Sequence, residues 1–172
     1  MVYANRFGEL YDDDVEFRPS AQRGRYLRWH WRAKYSVAVL ALAQPDTALL
    51  LRSFRHSARC AVLEVVKGFG DDARDPADVA RAELSEELGF MASKLEPIGT
   101  IFTDSAFAHH PMKCFLAEGE ISHAAKPESS EAIVAAEKFP LRRTPDALTS
   151  GEVQDSVTLA LLWQAFHRSQ GH

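Results

Sequence analysis

Three glutamates, Glu83, Glu86 and Glu87, fall close together in the segment ADVARAELSEEL. In a helix, at about 100° per residue, their side chains share one arc, while Ala77, Leu84 and Leu88 occupy a neighbouring apolar arc. Carboxylates crowded at i,i+3 and i,i+4 repel unless water or a cation screens them, and a bound cation reverses the sign. Hard oxygen donors of this kind suit magnesium or manganese, which typically hold one or two carboxylates, several waters and the phosphates of a substrate. The same stripe also fits a solvated acidic face, so the surrounding residues have to decide.

The elements that must position this stripe can be read from local signals. Asp75 is a ready N-cap, Pro76 suits the first helical position and Gly89 suits a left-handed C-cap, which bounds a helix between them. Before it, the apolar run CAVLEVV stops at Lys67-Gly68-Phe69-Gly70-Asp71-Asp72, a strand feeding a glycine loop. YSVAVLALA and TALLLRSF, separated by Gln44-Pro45-Asp46, read as a hairpin. After the helix, LEPIGTIF and KCFLAEGE read as strands flanking a long loop from Thr103 to Pro111; residues 122–131 form a polar loop, AIVAAEKFPL returns to apolar character, and DSVTLALLWQAF closes the chain as an amphipathic helix. The first residues through Gly24 are polar and acidic, and RYLRWHWRA alternates like an edge strand. This order predicts an α/β fold with mixed layers around a sheet rather than an alternating parallel series.

With 172 residues, 46% of them hydrophobic, the chain can bury one core, and a single domain over residues 1–172 is expected. A formal net charge of -4 has the wrong sign for gripping nucleic acid, but leaves small phosphorylated ligands open. Cys60 and Cys114 lie far apart without metal spacing and read as reduced thiols. The opening residues lack the apolar stretch of a signal peptide and no run approaches the ~18 apolar residues needed to span a bilayer, so the expectation is a cytoplasmic protein with no membrane partner. His109 and His110 read as packing or exposed residues rather than ligands. Trp29 and Trp31 share one strand face and read as a packing surface, with stacking on a nucleobase as the alternative.

The segment from Gly68 to Phe90 resembles the Nudix box, G-x5-E-x7-R-E-U-x-E-E-x-G-U with U an apolar residue. Gly68, Glu83, Leu84, Glu86, Glu87, Gly89 and Phe90 match in register; Arg74 stands where the first glutamate is expected and Ala82 where the arginine is. In the family pattern that arginine lies i,i+4 from Glu86 and can hold its carboxylate. Ala82 cannot, which leaves Arg74 or Arg81 as replacement guanidinium. The likeness covers roughly residues 35–166 and extends to the ADP-ribose pyrophosphatase branch. There a basic strand end precedes a glutamate and a glycine, here Arg52, Arg55, Glu64 and Gly68, and a Gly, an Asp and a Thr introduce the last helix.

The resemblance implies a Nudix fold, a mixed β-sheet sandwiched between α-helices, and metal-dependent hydrolysis of a nucleoside diphosphate linked to another group, ADP-ribose foremost. It implies Glu83 and Glu87 as main ligands of Mg2+ or Mn2+, Glu86 as a shared or water-mediated ligand with a catalytic part, and the Lys67 carbonyl as a further oxygen. The general base would come from the loop KPESSEAI, Glu131 first and Glu128 second. Arg52, Arg55 and Glu64 would contact substrate, Arg55 as a guanidinium fork on phosphate. A homodimer is expected, with residues 1–34 at its interface. Two other outcomes stay open: the same chemistry on a nucleotide sugar, dinucleoside polyphosphate or dinucleotide cofactor, or a module that binds ADP-ribose-like ligands without turnover.

Overall fold

A computed structural model describes residues 1–127 and 132–171. Its centre is the hairpin of β4 (Tyr35–Gln44) and β5 (Thr47–Arg55), turning at the expected Pro45-Asp46. The two strands pair only near that turn and then fork. Into the fork come β6 (Cys60–Glu64), antiparallel to β5, and β7 (Val66–Gly70), antiparallel to β4. The sheet is completed by β8 (Phe90–Phe102), β9 (Pro111–Ile121) and β10 (Ile133–Pro140) in the order β10-β5-β4-β9-β8. The β4–β9 pair is parallel and the others are antiparallel, so the sheet is mixed.

Alternation along β4 explains why its sequence is apolar throughout. Ala38, Leu40 and Leu42 point into one core with Val157, Leu161, Leu162 and Ala165 of α3 (Ser156–Ser169), while Val37, Val39 and Ala41 point into another with Val79, Ala80, Leu84 and Leu88 of α1 (Pro76–Leu88). A central strand covered on both faces reads as a continuous hydrophobic run. The short α2 (Thr144–Ala147) joins the α3 side through Ala147. The expected sheet between helices is what the chain forms.

Helix α1 starts and stops as its sequence dictates. Asp75 accepts from the Ala77 N–H at 2.8 Å, and Gly89 adopts φ 64°, the left-handed cap a side chain would strain.

One reading needs correction. Gly68 and Gly70 lie within strand β7, opposite Val37 and Tyr35, rather than in a loop. Neither has a positive φ. Their missing side chains make room: a Cβ at Gly70 would run into the Tyr35 ring, and one at Gly68 into the Glu83 carboxylate. The acidic opening forms strand β2 (Gly8–Phe17), paired along its whole length with β3 (Gln22–Trp31) and flanked by β1 (Tyr3–Ala4). Asp14 stands opposite Arg25, and Asp12 and Asp13 reach Arg25 and Arg28 diagonally, so opposite charges replace apolar packing as the pairing signal.

This three-stranded N-terminal sheet touches the body through Trp29, whose N–H donates to the Phe107 carbonyl at 2.8 Å, and through the Tyr26 hydroxyl on the Ala106 carbonyl. Among the described residues no helix is long and apolar enough to cross a membrane.

Candidate active site

The carboxylate stripe lies on α1 where the helix packs against β7. Glu83 sits over Gly68, and a glycine there is the condition for that approach. Glu87 is 7% exposed, on a helix whose Leu84 and Leu88 are also buried. Burial of an anion at that depth is costly without a counter-charge or hydrogen bonds. Glu86 is exposed on the flank of the stripe, beside a surface recess lined with Ser85, His123 and Lys126. Among the described residues no three His, Cys, Asp or Glu side chains converge as a closed cation nest. The donors that fit a magnesium-like ion are therefore few and open to solvent: the helix carboxylates, Glu83 at Gly68 foremost, would leave most positions to water and phosphate.

Beyond Gly68 the fork between β4 and β5 opens into a cavity of about 480 Å³ lined by Arg55, Glu64, Lys67, Phe69, Gln154 and Asp155, among others. Arg55, the last residue of β5, forms an ion pair with Glu64 Oε1 without hydrogen-bond geometry at that oxygen, so its guanidinium keeps donors to offer. Glu64 is buried, and its Oε2 accepts from Lys67 Nζ at 3.0 Å. Lys67 Nζ also donates to Asp155 Oδ1 at 2.8 Å. Burial pushes the Asp155 carboxyl up, but the Lys67 charge and the hydrogen bonds from Lys67 and Thr158 outweigh it and leave the group below the usual aspartate range.

The sequence-predicted residues thus divide. Glu83 meets Gly68, Glu87 lies one turn further along the same helix, and Arg55 and Glu64 line the cavity with Lys67. Arg52 does not line it; its guanidinium is held by both oxygens of Glu137 on β10. Glu128 and Glu131 lie outside the described residues. Of the two candidate replacement arginines, Arg81 donates to the Ala92 carbonyl on β8 at 2.9 Å, and Arg74 is exposed in the turn before α1, where its carbonyl accepts from the Tyr35 hydroxyl.

Sequence reasoning missed Asp155 as a charged partner of Lys67, although an aspartate directly before a helix was a visible cap signal. It also read Trp29 and Trp31 as a packing or base-stacking surface and His110 as a packing or exposed residue, without placing them together. The structure gathers Trp31, Phe69 and His110 with ring centroids 5.2–5.9 Å apart, and His110 Nε2 lies 2.7 Å from Ser36 Oγ.

A mixed sheet between helices, with a glutamate helix seated on a glycine strand, is the arrangement a family comparison identifies: the NUDIX domain matches residues 32–160, and the chain belongs to the Nudix family. It is 30% identical over 118 residues to an ADP-ribose pyrophosphatase of Bacillus subtilis (strain 168), across 69% of this chain and 62% of that protein. It is 26% identical over 119 residues to a methanol dehydrogenase activator of Bacillus methanolicus, across 69% of this chain and 63% of that one. An ADP-ribose pyrophosphatase of Mycobacterium tuberculosis (strain ATCC 25618 / H37Rv) is 25% identical over 128 residues, across 73% and 61%. The chain thus spans less than two thirds of the length of these curated relatives. A crystal structure of an ADP compounds hydrolase superposes with a TM-score of 0.81 at 21% identity, over 99% of this chain and 90% of that one, a likeness of fold.

Proposed function

We propose that this protein hydrolyses the pyrophosphate linkage of a nucleoside diphosphate derivative, with ADP-ribose the leading substrate and AMP and ribose 5-phosphate the products. The observation that carries the reading is the Glu83 carboxylate seated on Gly68, with Glu87 beside it and the Arg55-bearing cavity adjoining. The names of two of the curated relatives support ADP-ribose over other diphosphate derivatives.

Nudix hydrolases generally use divalent metal ions, and Mg2+ or Mn2+ held here by Glu83 and Glu87, with the Lys67 carbonyl and Glu86 assisting, would neutralise phosphate charge and lower the pKa of the attacking water. Arg55 would fork onto a phosphate, releasing part of its hold on Glu64, which keeps Lys67 as counter-charge. Phe69 and Val62 would exclude water from one side of the cavity. Glu131 or Glu128 would take the proton of the attacking water.

The test is release of AMP from ADP-ribose with and without Mg2+, beside a binding titration of the same ligand. Cleavage that needs the metal supports the reading. Tight binding without product under any divalent ion would make the chain a binding module instead.

We also infer a homodimer through the N-terminal sheet, where Val2, Tyr3, Phe7, Phe17 and Leu27 are all exposed apolar side chains. Sedimentation of the full chain against a variant with Phe7 and Leu27 changed to serine distinguishes dimer from monomer.

A further inference from the structure

Between β6 and β7 the chain leaves the β5 ladder and joins the β4 ladder, and Val65 is the residue at which it changes. Val65 is 1% exposed, and at such depth a backbone N–H requires a partner. That partner is not a strand but a side chain of α3: the Val65 N–H donates to Thr158 Oγ at 2.9 Å, and the Thr158 hydroxyl donates in turn to Asp155 Oδ2 at 2.7 Å. Asp155 also accepts from the Thr158 N–H at 2.9 Å, capping α3, and its other oxygen receives Lys67 Nζ. Lys67 closes the circuit on Glu64 Oε2. Lys67 directly, Glu64 through Lys67 and Val65 through Thr158 are therefore all tied to one carboxylate at the start of α3.

We propose that Asp155 is a positioning residue for the metal-binding segment, fixing Lys67 and Gly68 against the Glu83 face of α1 from the far side of the sheet. This inference rests on the metal-dependent reading above and goes beyond it, because Asp155 touches neither metal nor substrate in that reading. The physical reason lies in the fork. Ladder hydrogen bonds fix β7 along β4 and β6 along β5, but β4 and β5 pair only near their turn, so no ladder ties β6 to β7 across the open end of the fork. The Asp155 circuit does. A shift of β7 by a few tenths of an ångström would move the Gly68 cradle under Glu83, where the clearance is already less than a methyl group requires.

Asp155→Asn is the informative change, since asparagine caps a helix about as well as aspartate but carries no charge for Lys67. The probe is Mn2+ alone, followed as free ion by electron paramagnetic resonance, with ADP-ribose turnover measured in parallel. The expected result is a Kd for Mn2+ raised about 10-fold and kcat lowered to a similar degree, the range seen when an outer partner of a metal ligand is lost, with KM for ADP-ribose changed by less than about twofold. Lys67→Met, which removes the same pair from its other end and leaves the backbone carbonyl in place, should shift Mn2+ binding likewise. The double variant should be little worse than either single one.

Leu162→Val, a cavity-forming change in the α3 core, is the control for general loosening: it should lower the melting temperature and leave Mn2+ affinity unchanged. Unchanged Mn2+ affinity in Asp155→Asn, or an equal shift in Leu162→Val, overturns the proposal while the hydrolase reading stands. A parent protein that binds no Mn2+ and cleaves nothing overturns both.

Discussion

The N-terminal sheet and the fork of the central sheet are both rich in charge, yet they use it differently. In the N-terminal sheet Arg25 bridges Asp12 and Asp14, Arg28 pairs with Asp13 and Arg32 with Glu9, all with substantially exposed guanidinium groups. Water screens such pairs, and they specify register more than they stabilise. In the fork, Glu64 and Lys67 are 3% and 19% exposed at their side chains and Asp155 is 21% exposed, so each charge depends on its partners. Removing one partner there strands another in a poorly solvated place. On this contrast the first region should tolerate change, and the second should, on the proposal for Asp155, transmit it to the carboxylate helix.

The largest expected effect belongs to the helix itself. Glu87→Gln should lower turnover of ADP-ribose by at least about 100-fold in steady-state assays, because it removes a ligand for the cation, while thermal unfolding shows the fold retained. Undiminished turnover would remove the stripe from the mechanism.

Gly68→Ala should come next. Its backbone torsions suit alanine, so the strand should form, but the new methyl group must displace the Glu83 carboxylate. A loss of about 10-fold or more in kcat with little change in the melting temperature is the expected pattern.

Arg55→Ala should weaken binding of a non-hydrolysable ADP-ribose analogue by about 10-fold, the loss of one charge-assisted contact, measured by calorimetry. Stability should change less, since Glu64 retains Lys67. An unchanged dissociation constant would move the phosphate site elsewhere.

How much of this was legible beforehand depended on whether the signal was local. The cap residues Asp75, Pro76 and Gly89 bounded α1 correctly because capping is decided within one turn of chain. The glutamate stripe followed from helical periodicity alone. The β4–β5 hairpin was readable from its turn, but the fork beyond it was not, since strand partners separated along the chain leave no local mark. For the same reason Gly68 and Gly70 looked like loop glycines: their cause is a carboxylate and a ring brought from residues 83 and 35 by tertiary packing. Arg52 and Arg55 looked equivalent in sequence, and only the arrival of Glu137 on β10 separates them. The pairing of the acidic strand β2 with β3 was not legible, because its pattern is charge complementarity with a neighbour rather than apolar alternation.

A smaller effect is expected at His110, which joins the two regions through Trp31 and Ser36. Burial, and to a lesser extent the neighbouring His109, holds its pKa below the ordinary 6.5. Because the unfolded chain takes up the proton first, stability should be full above the unfolded value and decline as pH falls through 6.5 toward the folded value. The depressed carboxyls Asp155 and Glu137 act in the same direction in a lower window, losing their stabilisation as pH falls through the ordinary carboxylate value toward the folded one. Urea midpoints measured between pH 7.5 and 5 should therefore fall for the parent and fall less for His110→Asn. Parallel curves would show that the ring titrates as if exposed.

The smallest effect should be that of Arg25→Gln, which deletes a guanidinium making contacts of 2.7–3.0 Å with two carboxylates. Judged by distances alone it should rival the loss of Lys67. It should not, because the Arg25 side chain is 57% exposed and the Asp14 side chain 88% exposed, so water replaces whatever the pair loses. Its backbone pairing with Asp14 does not depend on the side chain and remains. The measurement is the thermal midpoint at low and at high salt: the parent and Arg25→Gln should differ slightly at low salt and converge at high salt, where the screening length shrinks to a few ångström. Lys67→Met should stay destabilised at both, since its partners lie largely out of reach of mobile ions. If the two variants instead responded to salt alike, the contrast between a solvated and a sequestered charge network would be wrong, and the fork would be as forgiving as the N-terminal sheet.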